Sequence, residues 1–268
     1  MMKRFKEFLK TPAAAIILFV FAAVLIITGG IGGTRAALAL FSEQYNAEIQ
    51  TSYIGVSLIE NDTVVARRDY IPDADGYQWD ESGSHLLCED LLGDDAVLKI
   101  GKNYKEELKV ANSGAINEYV RVIVWKYWAE VDEDGEIVSK RQDLDSDLID
   151  LHFLTDGSGW ILSESDADAF SKECTVLYYT EILEPGDETI LFADTLRIDD
   201  QVAVIVSETK SKDETGATVI TMVYEYDGKQ FVIEAEADAV QTHNAEDAIL
   251  SAWGKHATFS GDTIVNIQ

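Results

Sequence analysis

The chain has 268 residues, with 49 aspartates and glutamates against 21 lysines and arginines, and a formal net charge of −28 at pH 7. A surface this acidic repels phosphate backbones and anionic lipids, which argues against a nucleic-acid-binding protein. Hydrophobic residues are 47% of the chain and aromatic residues 10%, so the composition favours a packed core over disorder.

The N-terminus has the layout of a secretory signal peptide. Four basic residues and one acid occupy residues 1–10, and an uncharged apolar run, AAAIILFVFAAVLII, follows at 13–27. Glycines and Arg35 then interrupt the apolar character, whereas a stable membrane span usually needs about 20 apolar residues. Ala37 and Ala39 place small residues at the −3 and −1 positions of a cleavage site after Ala39.

We therefore expect a signal peptide at residues 1–39 and a β-rich mature domain at residues 40–268. The leader holds five of the 21 basic residues and one of the 49 acids, so the mature part has 16 bases, 48 acids and a net charge of −32. The alternative is an uncleaved anchor, because counting on through Ile31 brings the apolar run to a borderline spanning length. Contact with the membrane would then occur through the leader alone.

The first mature segment with a clear pattern is residues 47–70, which are rich in β-branched and aromatic residues. They predict a strand, a turn at 60–62 and a second strand. Residues 72–95 are acidic and punctuated by glycine and aspartate. This composition predicts a long surface connection, with a short helical turn around 86–92.

Residues 96–128 carry the strongest strand signals, as three runs separated by GKN and NSGAIN. The third run places Val120, Val122 and Val124 on one face, as expected of a sheet with one buried side. The Asp-Gly pair at 134–135 then predicts a hairpin turn.

The rest of the chain predicts further short strands, a second hairpin and one helix. Strands are expected at 148–154, 160–162, 175–180, 188–198 and 201–206, a hairpin with strands at 218–226 and 230–235 around the Asp-Gly pair 227–228, and a helix at 244–254 that Asn244 caps and Gly254 ends. About a dozen short strands with one or two short helices predict an all-β fold, a jelly-roll-like two-sheet β-sandwich.

Residues able to carry chemistry are scattered along the chain. The four histidines are His85, His152, His243 and His256. They form no H-E-x-x-H pair, and no nucleophile elbow or phosphate-binding loop occurs. The acidic turns at 73–76 and 132–136 loosely resemble half of a calcium-binding EF-hand loop, but ordinary solvated turns are the favoured interpretation. We therefore predict no catalytic residue, no cofactor and no enzyme activity.

Cys88 and Cys174 are the only cysteines. One pair in a chain this long is not a disulfide framework. In an oxidising compartment the two could form one disulfide, or they could be two separate thiols, and the sequence leaves both open.

Several segments together resemble a known family. The end of the leader, TGGIGGTRAALA (28–39), resembles sites cut by the SipW-type signal peptidase, in which Gly-Gly-Thr precedes the cut. Four further blocks resemble, in the same order, blocks of the TasA/camelysin-like exported proteins. These blocks are IGVSLIEN (54–61), KVANSGAINEYVRVIVWKYW (109–128), YYTEILEPGDETILFADTLRI (178–198) and AEADAVQTHNAEDAILSAWG (235–254).

The resemblance implies a jelly-roll subunit exported to the cell surface or the biofilm matrix, with copies of itself and other matrix or envelope components as partners. Fibre-forming relatives join by donor-strand exchange, in which the N-terminal segment of one subunit adds a strand to the next. Here the donor would be residues 40–54, freed by the signal peptidase; an ordinary first strand folded into its own sheet is the alternative. The apolar donor residues are Leu40, Phe41, Tyr45, Ile49, Tyr53 and Ile54.

Two other functions stay open at this point. Some members of the family carry a metallopeptidase label, which implies an exported peptidase whose metal ligands meet only in the fold. A membrane-tethered binding module that keeps its leader is the other alternative. Because the chain has no zinc-peptidase motif, we expect the structural role.

Overall fold

The computed structural model describes residues 53–73, 76–88, 91–92, 98–162, 172–212 and 218–268, all within the unit Ser52–Gln268. The elements are β1 (Gly55–Glu60), β2 (Thr63–Asp73), β3 (Gly76–Gly83), β4 (Asn103–Asn112), β5 (Glu118–Val131), β6 (Ile137–Arg141), β7 (Ile149–Phe153), β8 (Trp160–Leu162), β9 (Cys174–Tyr179), β10 (Ala193–Ile198), β11 (Val206–Lys212), β12 (Thr218–Tyr224), β13 (Lys229–Gln241), α1 (Ala245–Trp253), β14 (Ala257–Ser260) and β15 (Thr263–Ile267). The described chain is thus mostly β, with two main antiparallel sheets, as predicted.

The first sheet has six strands in the order β3-β2-β1-β4-β10-β7. β1 and β2 join through Asn61 and Asp62, both with positive φ, which confirms the predicted turn. Every second residue of β4 is buried and the residues between them are exposed or half-buried, so that Leu108 and Val110 face the core.

The second sheet has the order β13-β5-β9-β8, and β6 also pairs with β5. β13 pairs with β5 along its whole length, from Lys229 opposite Glu130 to Gln241 opposite Glu118. The predicted hairpin turn after β5 is confirmed, because Gly135 has a φ of 86° between β5 and β6.

One hydrophobic core takes side chains from both sheets. Leu108 and Leu196 come from the first sheet, and Val122, Leu177 and Ile233 from the second, all at most 1% exposed. The alternating inward positions of the strands therefore pack against one another between the sheets.

The outer face of the second sheet is also covered. A second cluster joins Tyr119 of β5 and Tyr178 of β9 to Ile249 and Trp253 of α1 and to Ile264 of β15. We predicted one buried side for β5, whereas both sides are largely covered. The reason is that the C-terminal helix, which was predicted, and the β14–β15 hairpin, which was not, both pack on its outer face.

Several predicted elements differ in the structure. The expected surface connection at 72–95 contains β3, which is exposed along its length and is stabilised by pairing with β2. The strand expected at 201–206 is wrong, because Asp200–Ala203 is a 3₁₀ turn and β11 begins at Val206. In the segment expected to hold a short helical turn, Leu86 forms a bridge with Glu234 of β13, and the Leu91 N–H donates to the Cys88 carbonyl at 3.2 Å. Residues 89–90 of this segment lie outside the described chain. The strand expected at 188–198 is shorter in the structure, where β10 begins at Ala193.

The second predicted hairpin is wrong in a different way. The chain does turn at 227–228, where Gly228 has a φ of 67°. However, β12 pairs with β11 in a separate two-stranded sheet, while β13 joins the second main sheet. Helix α1 ends at Gly254 as predicted, but Asn244 makes no capping hydrogen bond with its side chain.

Candidate functional site

Of the residues predicted to act in export and assembly, the structure describes Tyr53 and Ile54. Both are half-buried and directly precede β1. The Tyr53 carbonyl accepts the N–H of Ala115 at 2.9 Å, and the Ile54 carbonyl accepts the N–H of Tyr70 at 2.8 Å. These hydrogen bonds tie residues 53–55, here called the β1 root, to their own domain. Outside the described residues lie Ala37, Ala39, Leu40, Phe41, Tyr45 and Ile49.

Two glycines allow the β1 root to lie against the turn that follows β4. A Cβ on Gly114 would meet the Gly55 nitrogen at 2.6 Å and the Tyr53 oxygen at 2.7 Å. The Asn112 side chain holds this turn, because it accepts the Gly114 N–H at 2.8 Å and donates to the Leu183 carbonyl at 2.9 Å. The NSG block therefore fixes the position of the β1 root, where the described domain begins.

Glu118 of β5 lies beside the β1 root and is fully buried. Its Oε2 accepts the Gly55 N–H at 3.4 Å, and its Oε1 has no hydrogen-bond partner. Burial raises the pKa of Glu118 to about 9 from an ordinary 4.5; the Gly55 N–H opposes this rise and the Asp69 carboxylate adds to it. Glu118 is therefore neutral in the folded protein at pH 7.

A second buried acid meets two other potential metal ligands. Glu60 at the end of β1, Cys88 after β3 and Glu106 in β4 each place one ligand atom within 4.8 Å of the other two. In the described part of the chain, no other three His, Cys, Asp or Glu side chains meet in this way. The Cys88 N–H donates to Glu60 Oε1 at 2.6 Å. We call these three residues the carboxylate–thiol cluster.

Glu106 is the most buried member of the carboxylate–thiol cluster, at 0% exposure. Asn61 Nδ2 lies 3.5 Å from Glu106 Oε2, and Glu106 Oε1 has no hydrogen-bond partner. Burial raises the pKa of Glu106 to about 9, and the adjacent Glu60 carboxylate contributes to the rise. Burial also raises the pKa of the Cys88 thiol.

A cavity of about 340 Å³ borders the carboxylate–thiol cluster. Its walls are mostly apolar and include Leu91, Leu98 and Phe231, and Cys88 lies in the lining. Cys88 itself has a φ of 66°, an uncommon conformation for a residue with a side chain. Cys88 is therefore the member of the cluster that the cavity reaches.

Sequence reasoning missed the carboxylate–thiol cluster, although one signal for it exists. The alternation of β4 puts Glu106 in line with the buried Tyr104, Leu108 and Val110. An acid at a core position of a strand is unusual and could have been noticed. The other two members carry no such signal, because they come from a strand end and a loop that meet only in the fold.

Other candidate ligands make local contacts. In the acidic turn at 132–136, Asp132 Oδ1 accepts the N–H groups of Asp134 and Glu136 at 3.0 and 2.9 Å, which is an ordinary Asx-type turn. Of the turn at 73–76, residues 74–75 lie outside the described chain. Cys88 and Cys174 form no disulfide with each other; Cys88 packs at the main core and Cys174 at the second cluster.

Comparison of the chain with family models, with curated proteins and with solved structures gives no match. Among the helices that the structure describes, none is both long and apolar enough to cross a membrane. Function is therefore inferred from the residues and the fold.

Proposed function

We propose that this chain is an exported, acidic structural subunit of a bacterial cell surface or biofilm matrix, of the kind represented by the TasA/camelysin-like proteins. After removal of the leader, its N-terminal segment would join a sheet of a neighbouring copy. The observation that carries the proposal is the residue pattern of this segment, and the two-sheet fold and the β1 root support it.

The jelly-roll form of a two-sheet sandwich is part of the proposal. The chain crosses from one main sheet to the other between β4 and β5, β6 and β7, β7 and β8, and β9 and β10. Both sheets also contribute to one core. Repeated crossing of this kind is typical of jelly rolls, which combine two Greek keys in two packed sheets.

The segment from 41 to 53 has the pattern of a strand that buries one face. Its odd positions hold Phe41, Glu43, Tyr45, Ala47, Ile49, Thr51 and Tyr53, and its even positions hold Ser42, Gln44, Asn46, Glu48, Gln50 and Ser52. Phe41, Tyr45 and Ile49 thus lie on one face, in line with Tyr53 of the β1 root, and the opposite face is entirely polar. Such a segment suits β-augmentation, in which backbone hydrogen bonds bind and alternate side chains set the register.

The β1 root limits which residues can be donated. Residues 53–55 are tied by hydrogen bonds to the turn after β4 and to β2, so exchange would involve residues 40–52. The acceptor we propose is β7, an edge strand of the first sheet. Its Ile149 and Leu151 are buried while Asp150 and His152 are exposed, so an added strand would continue the same alternation beside it.

The test is assembly of the processed chain, residues 40–268, followed by electron microscopy and light scattering at increasing protein concentration. We expect concentration-dependent filaments from this chain. A chain of residues 53–268 keeps the hydrogen bonds of the β1 root but lacks the donor, so it should stay monomeric.

Two single substitutions in residues 40–268 form a matched pair. Ile49→Asp and Gln50→Asp each add one negative charge, at neighbouring positions on opposite faces of the donor. Ile49→Asp should abolish filaments because the charge would face an apolar acceptor, whereas Gln50→Asp should preserve them. Monomers of the unaltered 40–268 chain at all concentrations, or filaments from 53–268, would refute donor-strand assembly.

A further inference from the structure

We propose that Glu60, Cys88 and Glu106 bind a divalent cation of the zinc class. The site combines two carboxylates and a thiol whose ligand atoms all lie within 4.8 Å of one another. All three residues belong to a single subunit and none lies in the N-terminal segment, so the site is independent of the assembly proposed above.

The strongest observation is the unpartnered oxygen of a buried acid. Glu106 is 0% exposed, and its Oε1 accepts no hydrogen bond. Its nearest ionisable neighbours are another carboxylate, Glu60, and the Cys88 thiol, neither of which carries positive charge. A buried oxygen without a hydrogen-bond partner is costly even where a proton keeps the acid neutral. A metal ion among the three ligands would satisfy this oxygen and attract both carboxylates.

The spacing is compatible with a tetrahedral ion. Zinc binds oxygen at about 2.0–2.2 Å and sulfur at about 2.3 Å, so neighbouring ligand atoms lie roughly 3.4 Å apart. From a separation of at most 4.8 Å, the ligands would need to approach by about 1.4 Å or less, which side-chain rotation can supply. Three protein ligands leave a fourth position for water, and the cavity beside Cys88 gives access to it.

The thiol determines which cation the site prefers. Calcium and magnesium take oxygen ligands at six or more positions, whereas zinc and its substitute cobalt accept sulfur and a lower coordination number. The cluster offers one sulfur and two carboxylates, so it should bind Zn²⁺ and Co²⁺ and discriminate against Ca²⁺.

The experiment is a titration of the full chain with Co²⁺, in mild detergent, after reduction and removal of metals with a chelator. We expect a near-ultraviolet band from thiolate-to-cobalt charge transfer that saturates at one ion per chain. One equivalent of Zn²⁺ should displace it, and a hundredfold excess of Ca²⁺ should not. Absence of the band, or its removal by Ca²⁺, would overturn the proposal.

Matched variants locate the ligands. Cys88→Ser should remove the charge-transfer band, whereas Cys174→Ser should keep it. Glu106→Gln should weaken Co²⁺ binding by at least about 100-fold, and the exposed Glu133→Gln should leave it unchanged. Circular dichroism of each variant checks that it is folded, and zinc should raise the melting temperature of the Glu133→Gln chain but not of the Cys88→Ser chain. A band that survives Cys88→Ser in a folded chain would contradict the assignment.

Discussion

Two acidic side chains of the paired strands β5 and β13, Glu118 and Asp238, are neutralised in different ways. Asp238 of β13 lies between two arginines: Arg121 donates to Oδ2 from Nε at 3.0 Å and from Nη2 at 2.7 Å, and Arg68 contacts Oδ1. Glu118 of β5 is more deeply buried, yet its Oε2 accepts a single backbone N–H and its Oε1 has no hydrogen-bond partner. One acid is neutralised by cations and the other by a proton.

The difference has a structural meaning. Arg68 belongs to β2 of the first sheet, so its ion pair with Asp238 links the two main sheets. Glu118 instead contacts the β1 root, and Glu106 belongs to the carboxylate–thiol cluster. The chain has 49 acids and 21 bases, but burying a carboxylate without a cation beside it is costly, so such an acid is unusual. A buried acid of this kind indicates a proton-dependent contact or, where several ligands converge, a cation site.

The largest effect should come from replacing the titratable carboxyl group of Glu118. Between pH 4.5 and 9 the folded protein keeps a proton on Glu118 that the unfolded chain releases. The free energy of unfolding should therefore fall as the pH rises through this window, by up to about 1.4 kcal/mol per pH unit. Glu118→Gln removes this contribution, so its stability should decline less between pH 5 and 8 than that of the wild type.

Urea denaturation at several pH values measures this difference. The control is Glu133→Gln, which removes an exposed carboxylate near the hairpin turn and should reproduce the wild-type slope. The Asp69 carboxylate adds to the rise in the pKa of Glu118, so Asp69→Asn should make the decline in stability end at a lower pH than in the wild type. Parallel pH profiles for Glu118→Gln and the wild type would show that the buried acid is not protonated.

A smaller effect is expected at the arginine-paired acid. Asp238→Asn would leave Arg68 and Arg121 without their shared partner, so we expect a loss of about 2 kcal/mol in the free energy of unfolding. Asp200→Asn is the matched control, since its pair with Arg197 is exposed and should contribute little. Urea denaturation at pH 7 compares the two, and equal effects would show that the link between the sheets does not stabilise the fold.

Local patterns in the sequence identified the elements that local chemistry determines. The turn after β1, the strand β8 at 160–162 and the helix ending at Gly254 all follow from turn residues, β-branched residues or helix periodicity. The sequence did not predict β3, because its residues are exposed and show no alternation of apolar and polar side chains. It is a strand because it pairs with β2. The turn at 227–228 was recognised, but the partners of β12 and β13 are chosen by the whole fold.

The same distinction applies to the candidate sites. Glu106 could have been identified, because it interrupts a buried stripe of β4. Its neighbours Glu60 and Cys88 could not, since their approach depends on how β1 and the loop after β3 pack against β4. Likewise, the sequence around Glu118 indicates only a polar residue at the start of a strand. Its contact with the β1 root, through the Gly55 N–H, appears only in the fold. Contacts between segments distant in sequence define both sites.

The smallest effect should come from an ion-pair group centred on Lys109, whose two acid partners are more exposed than Asp238. Lys109 Nζ contacts Asp62 at 2.8 Å and Glu188 at 2.9 Å, and both acids are largely open to solvent. Lys109→Met keeps the apolar stem of the side chain and removes the charge, so the melting temperature should fall by only about 2 °C at low salt. In about 0.5 M NaCl the difference should nearly vanish, because screening acts on exposed charges. A large loss that persists in salt would contradict this expectation. It would show that the exposure of the acid partners does not determine how much an ion pair stabilises the fold.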